Sequence, residues 1–290
     1  MTTCAFSAER LAALLLALVL ALSAKLDVLT AIPEPGPVAW LEVEVHSQAE
    51  LDALARREDA EKITSLAGEG AGISDISALR GLTNLVSLDL CDNDISDISA
   101  LSDLTNLTEL DLSWNNITAI SALRGLTNLT ELYLNNNDIS DISALRALTN
   151  LTSLELGKNN ITDIHALSAL TNLTSLELGE NSISDINALS GLANLTYLYL
   201  GGNNLTDIHA LRGLTSLTEL GLGNNNLTDI STLRGLTNLT RLNVNDNNLS
   251  DISALSGLTN LTWLNLKRNN LTRTQVNDLQ AKLPNCEISF

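Results

Sequence analysis

A chain that repeats itself every 22 residues is confined to architectures that stack its copies along one axis. Here an aliphatic residue opens each copy at Ile63, Leu85, Leu107, Leu129, Leu151, Leu173, Leu195, Leu217, Leu239 and Leu261, every interval being 22, which makes ten copies in register. Within a copy the apolar residues fall at positions 1, 4, 6, 11, 14, 17 and 20, as in Leu107, Leu110, Leu112, Ile117, Ile120, Leu123 and Leu126. Leu110 and Leu112 stand two apart with Glu109 and Asp111 on the opposite face, the alternation of a short strand. The later steps of three suit a tight helical turn, of 3₁₀ type or one irregular α turn. Seven aliphatic side chains cannot offset the entropy of ordering 22 residues, so a copy folds only by sharing its apolar faces and strand hydrogen bonds with its neighbours.

Two polar positions recur with the same period. Position 9 is Asn in every copy from the second on, from Asn93 through Asn115 and Asn137 to Asn269. An inward amide there satisfies backbone groups stranded where the strand bends away, and stacks with its neighbours into a ladder. Position 13 is Asp in eight copies, including Asp75, Asp97, Asp141 and Asp163, just ahead of the helical piece. A carboxylate at that place favours the N-terminus of the turn, which accounts for part of the formal net charge of −18 without any metal.

The stretch "LTNLTELDLSWNNITAISAL" resembles the 22-residue leucine-rich repeat, and the forms "NNITAISAL" and "NNDISDISAL" are most similar to the internalin type of bacterial proteins. The likeness covers residues 63–273. It implies a curved right-handed α/β solenoid with a parallel sheet on the concave face and short 3₁₀ or helical segments on the convex face. Proteins of this kind use the concave side to bind other proteins.

Both ends depart from the repeat. Residues 11–22, "LAALLLALVLAL", are an unbroken apolar run too short to span a bilayer, and read as the core of a signal peptide over 1–23. "PEPGP" places three of the four prolines in a stiff linker over 24–37. An N-terminal cap is expected over 38–62: "WLEVEV" alternates as a strand, and Ser47 with Glu50 forms a capping box opening a helix through about Ala60. In the first copy Gly68 and Ala71 replace the expected Leu and Asn. After Leu271 the pattern breaks, and Val276, Leu279 and Leu283 line one face of a short helix in a C-terminal cap over 274–290. Cleavage after Ser23 would leave Cys91 and Cys286 nine repeats apart, roughly 40 Å at the spacing of stacked strands. A disulfide needs Cα atoms within about 7 Å, so no intrachain bridge is expected.

Function is expected where packing leaves side chains unconstrained, at strand positions 3 and 5 and, beyond them, 7 and 8. Five of the chain's eight aromatic residues fall there: Trp114, Tyr133, Tyr197, Tyr199 and Trp263. Exposed aromatics with no packing duty read as anchors for a partner, since they bring large contact area at modest entropy cost. Asp89, Glu109, Asp111, Glu131, Glu155 and Glu177 spread an acidic field over copies two to six, and Arg241, Lys267 and Arg268 make the last copies basic. That grading suits a protein partner with a basic patch. Between the fields lie Gly157, Gly179, Gly201, Gly202, Gly221 and Gly223, either a lowered floor for partner backbone or residues of a turn that needs positive φ.

The negative charge argues against nucleic acid as a partner. His165 and His209 share position 15, where other copies carry Ser or Asn, and read as turn caps. Thirteen Asn-x-Ser/Thr sequons arise from the repeat itself. No nucleophile elbow, phosphate loop or zinc-spaced cluster is present, so neither an enzyme, a small-molecule substrate nor a cofactor is expected. The chain reads as a monomeric protein-binding scaffold, secreted or in the cell envelope, with an adhesion or surface-recognition role. A regulatory scaffold of the phosphatase-regulatory type, cytoplasmic with the leader retained, and a structural envelope component are the alternatives.

Overall fold

The computed structural model describes residues 40–290. The expected signal peptide and linker lie outside the described residues. Strand β1 (Leu41–Glu44) and helix α1 (Gln48–Leu54) precede β2 (Ile63–Ala67). Nine strands of three residues follow: β3 (Ser87–Asp89), β4 (Glu109–Asp111), β5 (Glu131–Tyr133), β6 (Ser153–Glu155), β7 (Ser175–Glu177), β8 (Tyr197–Tyr199), β9 (Glu219–Gly221), β10 (Arg241–Asn243) and β11 (Trp263–Asn265). Helix α2 (Arg273–Lys282) and β12 (Glu287–Ser289) end the chain. All twelve strands form one sheet in sequence order, each parallel to the next. Equivalent repeat positions face one another across the sheet, as Leu110 pairs Leu132 and Leu154 pairs Leu176. The helical piece is 3₁₀ in the first nine copies, as at Ser121–Gly125 and His209–Gly213, and the tenth runs into helix α2 instead. Steps of three put positions 14, 17 and 20 on one side of a three-per-turn helix, and Ile120, Leu123 and Leu126 are accordingly buried. No helix among the described residues is long and apolar enough to cross a membrane.

The core is one continuous stack of Leu and Ile and contains no aromatic side chain. The position-9 asparagines run through it as a ladder. Asn159 donates from Nδ2 to the carbonyls of Leu134, Leu156 and Gly157 at 2.9–3.2 Å, and its Oδ1 accepts from the Ile139 N–H at 3.0 Å. A second ladder was hidden inside the sequons. The position-22 asparagines, such as Asn106 and Asn150, donate to the backbone carbonyl of the preceding copy's threonine, Thr83 and Thr127, at 2.9 Å. The position-13 carboxylates accept from the N–H two residues on, as Asp141 does from Ser143 at 2.8 Å, and this holds the Asp141 carboxyl below the usual carboxylate range.

Both ends add elements that stand outside the repeat. A Cβ on Gly68 would stand 2.9 Å from Val45, so the glycine makes room for a side chain that enters from outside the repeat and seals the stack. Ser47 caps α1 by accepting from the Glu50 N–H, but the Glu50 carboxylate returns to the His46 N–H rather than to Ser47. Helix α1 ends at Leu54, short of Ala60, because the following "RRED" offers nothing apolar to the core. Thr272 and Gln275 form a full capping box on α2, which buries Val276 and Leu279.

One expectation fails. Cys91 is disulfide-bonded, while Cys286 is free and buried, so the two do not pair with each other.

Candidate protein-binding face

Strand positions 3 and 5 point away from the core, and the register lines them up into two rows across the sheet. The position-5 row runs Asp89, Asp111, Tyr133, Glu155, Glu177, Tyr199, Gly221. The position-3 row runs Glu109, Glu131, Ser153, Ser175, Tyr197, Glu219, Arg241, Trp263. Trp114, Lys267 and Arg268 stand on the continuation at positions 7 and 8. Thirteen of the fourteen residues singled out from the sequence lie exposed or half-buried on one side, the concave side of the solenoid, whereas Asp89 shares the row but is buried.

Position 8 carries a feature that sequence reading missed. In every copy its residue is in the left-handed region, from Gly70 at φ 62° through Trp114 at 57° and Lys158 at 53° to Arg268 at 55°. The backbone turns there so that the next residue can drop its amide into the asparagine ladder. Such a conformation costs an ordinary L-residue roughly 1–2 kcal/mol, and Trp114 is the bulkiest residue to bear it. Asn, Asp and Gly fill the position in most other copies, which was the available signal. Trp114 remains 39% exposed, with the Lys158 ammonium 5.6 Å from its ring centre.

The glycines do not all follow one of the alternatives posed by the sequence. Of the six, only Gly202 has positive φ. The others sit beneath side chains of this same chain: a Cβ on Gly201 would lie 2.7 Å from the Tyr199 hydroxyl, and one on Gly179 or Gly221 would run into the Tyr199 ring. Tyr199 thus lies among three glycines, with its ring edges against Gly179 and Gly221 and its hydroxyl at Gly201, and is half-buried. Tyr197 on the neighbouring row stands up and is 37% exposed. Burial and the carboxylates of Glu177, Glu155 and Glu219 push its hydroxyl pKa up to about 12.

The acidic field is built from half-buried groups, many already engaged. Glu131 accepts from the Tyr133 hydroxyl at 2.6 Å, Asp111 from the Ser113 N–H at 2.9 Å, and the buried Asp89 from the Cys91 N–H at 3.0 Å. Asn135 bonds the Glu155 carboxylate at 2.5 Å while its own oxygen accepts from the Gly157 N–H. Burial, reinforced by the neighbouring Glu177 and by Asp111, pushes the Glu155 carboxyl up to about 7, and burial also raises that of Glu177. At the far end Arg241 pairs with Glu219 at 3.7 Å and stacks 5.0 Å from the Trp263 ring centre, and Arg268 pairs with Asp246 at 3.1 Å. Glu219 and Asp246, which the sequence reading did not select, thus partly neutralise the basic end. On the convex side His165 and His209 donate their backbone N–H to Asp163 and Asp207, and each ring stays on that same carboxylate.

In-register copies of strand and 3₁₀ turn, stitched through an inner asparagine ladder and wetted on one sheet face only, define a leucine-rich-repeat solenoid. The leucine-rich-repeat pattern matches residues 149–205 and 215–271, and its two-copy form matches 83–125, 105–147, 127–169 and 193–235. Internalin C2 of Listeria monocytogenes is 31% identical, over 78% of this chain and 92% of that one, with a TM-score of 0.53. This chain belongs to the leucine-rich-repeat family and, within it, to the internalin type. The functional domain of InlJ from the same bacterium is 29% identical, with a TM-score of 0.71 over 80% of this chain; the match spans 52% of that domain. A plant peptide hormone receptor, RGFR1 in complex with RGF2, shares the fold at 22% identity and a TM-score of 0.65, over 79% of this chain and 43% of the receptor. No curated protein matches the chain.

Proposed function

We propose that this chain is an exported, monomeric, non-enzymatic scaffold that recognises a protein partner with its concave face, in an adhesion or surface-recognition role. The observation that carries the reading is the segregation of its aromatic residues. The core takes none, while Trp114, Tyr133, Tyr197, Tyr199 and Trp263 all lie on the one face that packing leaves free. Aromatic side chains are the commonest anchors of protein interfaces. The acidic rows around Glu155 and Glu177 favour a partner with a basic patch, which they would steer into place. Export rests on the apolar run of residues 11–22 and on the likeness to internalins.

The test is capture of proteins from the surroundings of the host by the immobilised chain, beside a variant with those five aromatics changed to Ser. A protein held by the parent and released by the folded variant supports the reading. Equal capture by both, or none by either, moves the function off this face.

A further inference from the structure

The centre of the position-5 row has a symmetry that no packing requirement explains: Tyr133, Glu155, Glu177 and Tyr199 stand on four successive strands. Two carboxylates on adjacent strands are brought within about 4.8 Å of backbone separation, where like charges oppose folding. Glu177 nonetheless leans toward its neighbour: a Cβ on Gly157 would come within 2.8 Å of its carboxylate. Asn135, anchored to the Gly157 N–H, holds the Glu155 carboxylate beside the same glycine. Serines at position 3 (Ser153, Ser175) and glycines at position 7 (Gly157, Gly179) keep the surroundings low. Among the described residues neither carboxylate has a cation within ion-pair distance. Lys158, the nearest in sequence, reaches toward Trp114 and Glu180 instead, 3.9 Å from the latter.

We propose that the Tyr133–Glu155–Glu177–Tyr199 row receives one arginine side chain of the partner polypeptide. The inference deepens the concave-face reading and rests on it. A guanidinium is a planar cation with five donors, so it can bond both carboxylates at once. The half-buried Tyr199 ring, set among its glycines on the strand next to Glu177, offers an aromatic surface that a planar cation stacks on better than a compact ammonium does. Glu155 is held partly protonated near neutrality by burial and by the negative charges of Glu177 and Asp111, against the opposing pull of the Asn135 hydrogen bond. Lys158 and Glu180 act on Glu177 with opposite signs, and Tyr197 is neutral near pH 7. A bound cation favours the ionised carboxylate, so binding expels a proton and tightens as pH rises from 5 to 8.

The probe is the peptide acetyl-Gly-Gly-Arg-Gly-Gly-amide, with a peptide carrying neutral citrulline in place of arginine as its control. Carbon NMR of the full chain labelled at the glutamate carboxyls follows each group separately. The expected result is movement confined to Glu155 and Glu177, a fall of at least one unit in the Glu155 pKa on saturation, and no response to citrulline. Binding should weaken at least tenfold in the Glu155→Gln, Glu177→Gln variant, whose neutral side chains relieve repulsion and leave the fold intact. Tyr199→Leu should weaken it severalfold without moving the Glu155 pKa of the free chain. Equal movement at Glu109, Glu131 and Glu219, equal response to citrulline, or undiminished binding by the double variant overturns the site. Capture of a protein partner by parent and double variant alike would overturn this site while leaving the concave-face reading in place.

Discussion

Replacing Glu155 by Gln should stabilise the chain, and only above mildly acidic pH. The folded protein holds this carboxyl to about 7 against an ordinary value of 4.5, so it binds the proton more tightly than the unfolded chain does. Stability attributable to the protonated form is therefore present below 4.5 and is lost as pH rises through 7. At about 1.36 kcal/mol per pKa unit the gap corresponds to about 3 kcal/mol. Solvent still reaches part of the carboxylate, and screening reduces this to about 2 kcal/mol. Glutamine has nearly the same shape, keeps an oxygen for the Asn135 amide, and never ionises. Urea unfolding of parent and variant, followed by circular dichroism at pH 4 and pH 8, isolates the effect, because every other carboxylate is common to both. The expected difference is near zero at pH 4 and about 2 kcal/mol in favour of the variant at pH 8. A variant no more stable than the parent at pH 8, or equally favoured at both values, would refute the claim that the concave face stores an unneutralised charge.

Asn159→Ala removes four hydrogen bonds and strands buried backbone groups in two copies, which should cost about 3 kcal/mol in the same urea assay; a loss below about 1 kcal/mol would mean the ladder is ornamental. Trp114→Asn places a residue tolerant of the left-handed region at φ 57° and should raise stability by about 1 kcal/mol while lowering capture of the partner. Gly201→Ala should drive the Tyr199 ring from its place among the glycines at a cost of about 1–3 kcal/mol. Burial, which now raises the Tyr199 hydroxyl pKa, would then relax, and alkaline difference spectra should record a tyrosine titrating nearer its ordinary value.

The repeat period made most of the fold legible. Strand position, the 3₁₀ step and the inward amide all follow from which of 22 positions never vary in kind, because packing repeats the same demand in each copy. Three features escaped because they depend on residues from different copies, or on conformation alone. Tyr199 lies over glycines from three copies, and nothing local marks Gly179, Gly201 and Gly221 as belonging to one tyrosine. The left-handed turn at position 8 is disguised by Trp114, Lys158, Glu180 and Arg268, side chains that do not announce positive φ. The ion pair of Arg241 with Glu219 joins residues 22 apart, legible only once the register is known. The candidate face itself was readable as a set of positions, whereas which side chains on it are already occupied by neighbours was not.

The asparagine ladder also gives the stack a direction. Each rung is supplied by the later copy and reaches back: Asn159 ties down Leu134 and Ile139, and Asn181 ties down Leu156 and Ile161. A copy at the growing end of a nascent chain thus keeps an open carbonyl and an open N–H until its successor arrives. Assembly during synthesis is accordingly vectorial, each copy being locked by the one made after it. The terminal rung, Asn269, closes onto Val244 and Leu249, and α2 follows at once. Fraying from the C-terminal end would therefore undo bonds inside copies that have not yet moved, and loss from the other end would leave every remaining copy locked.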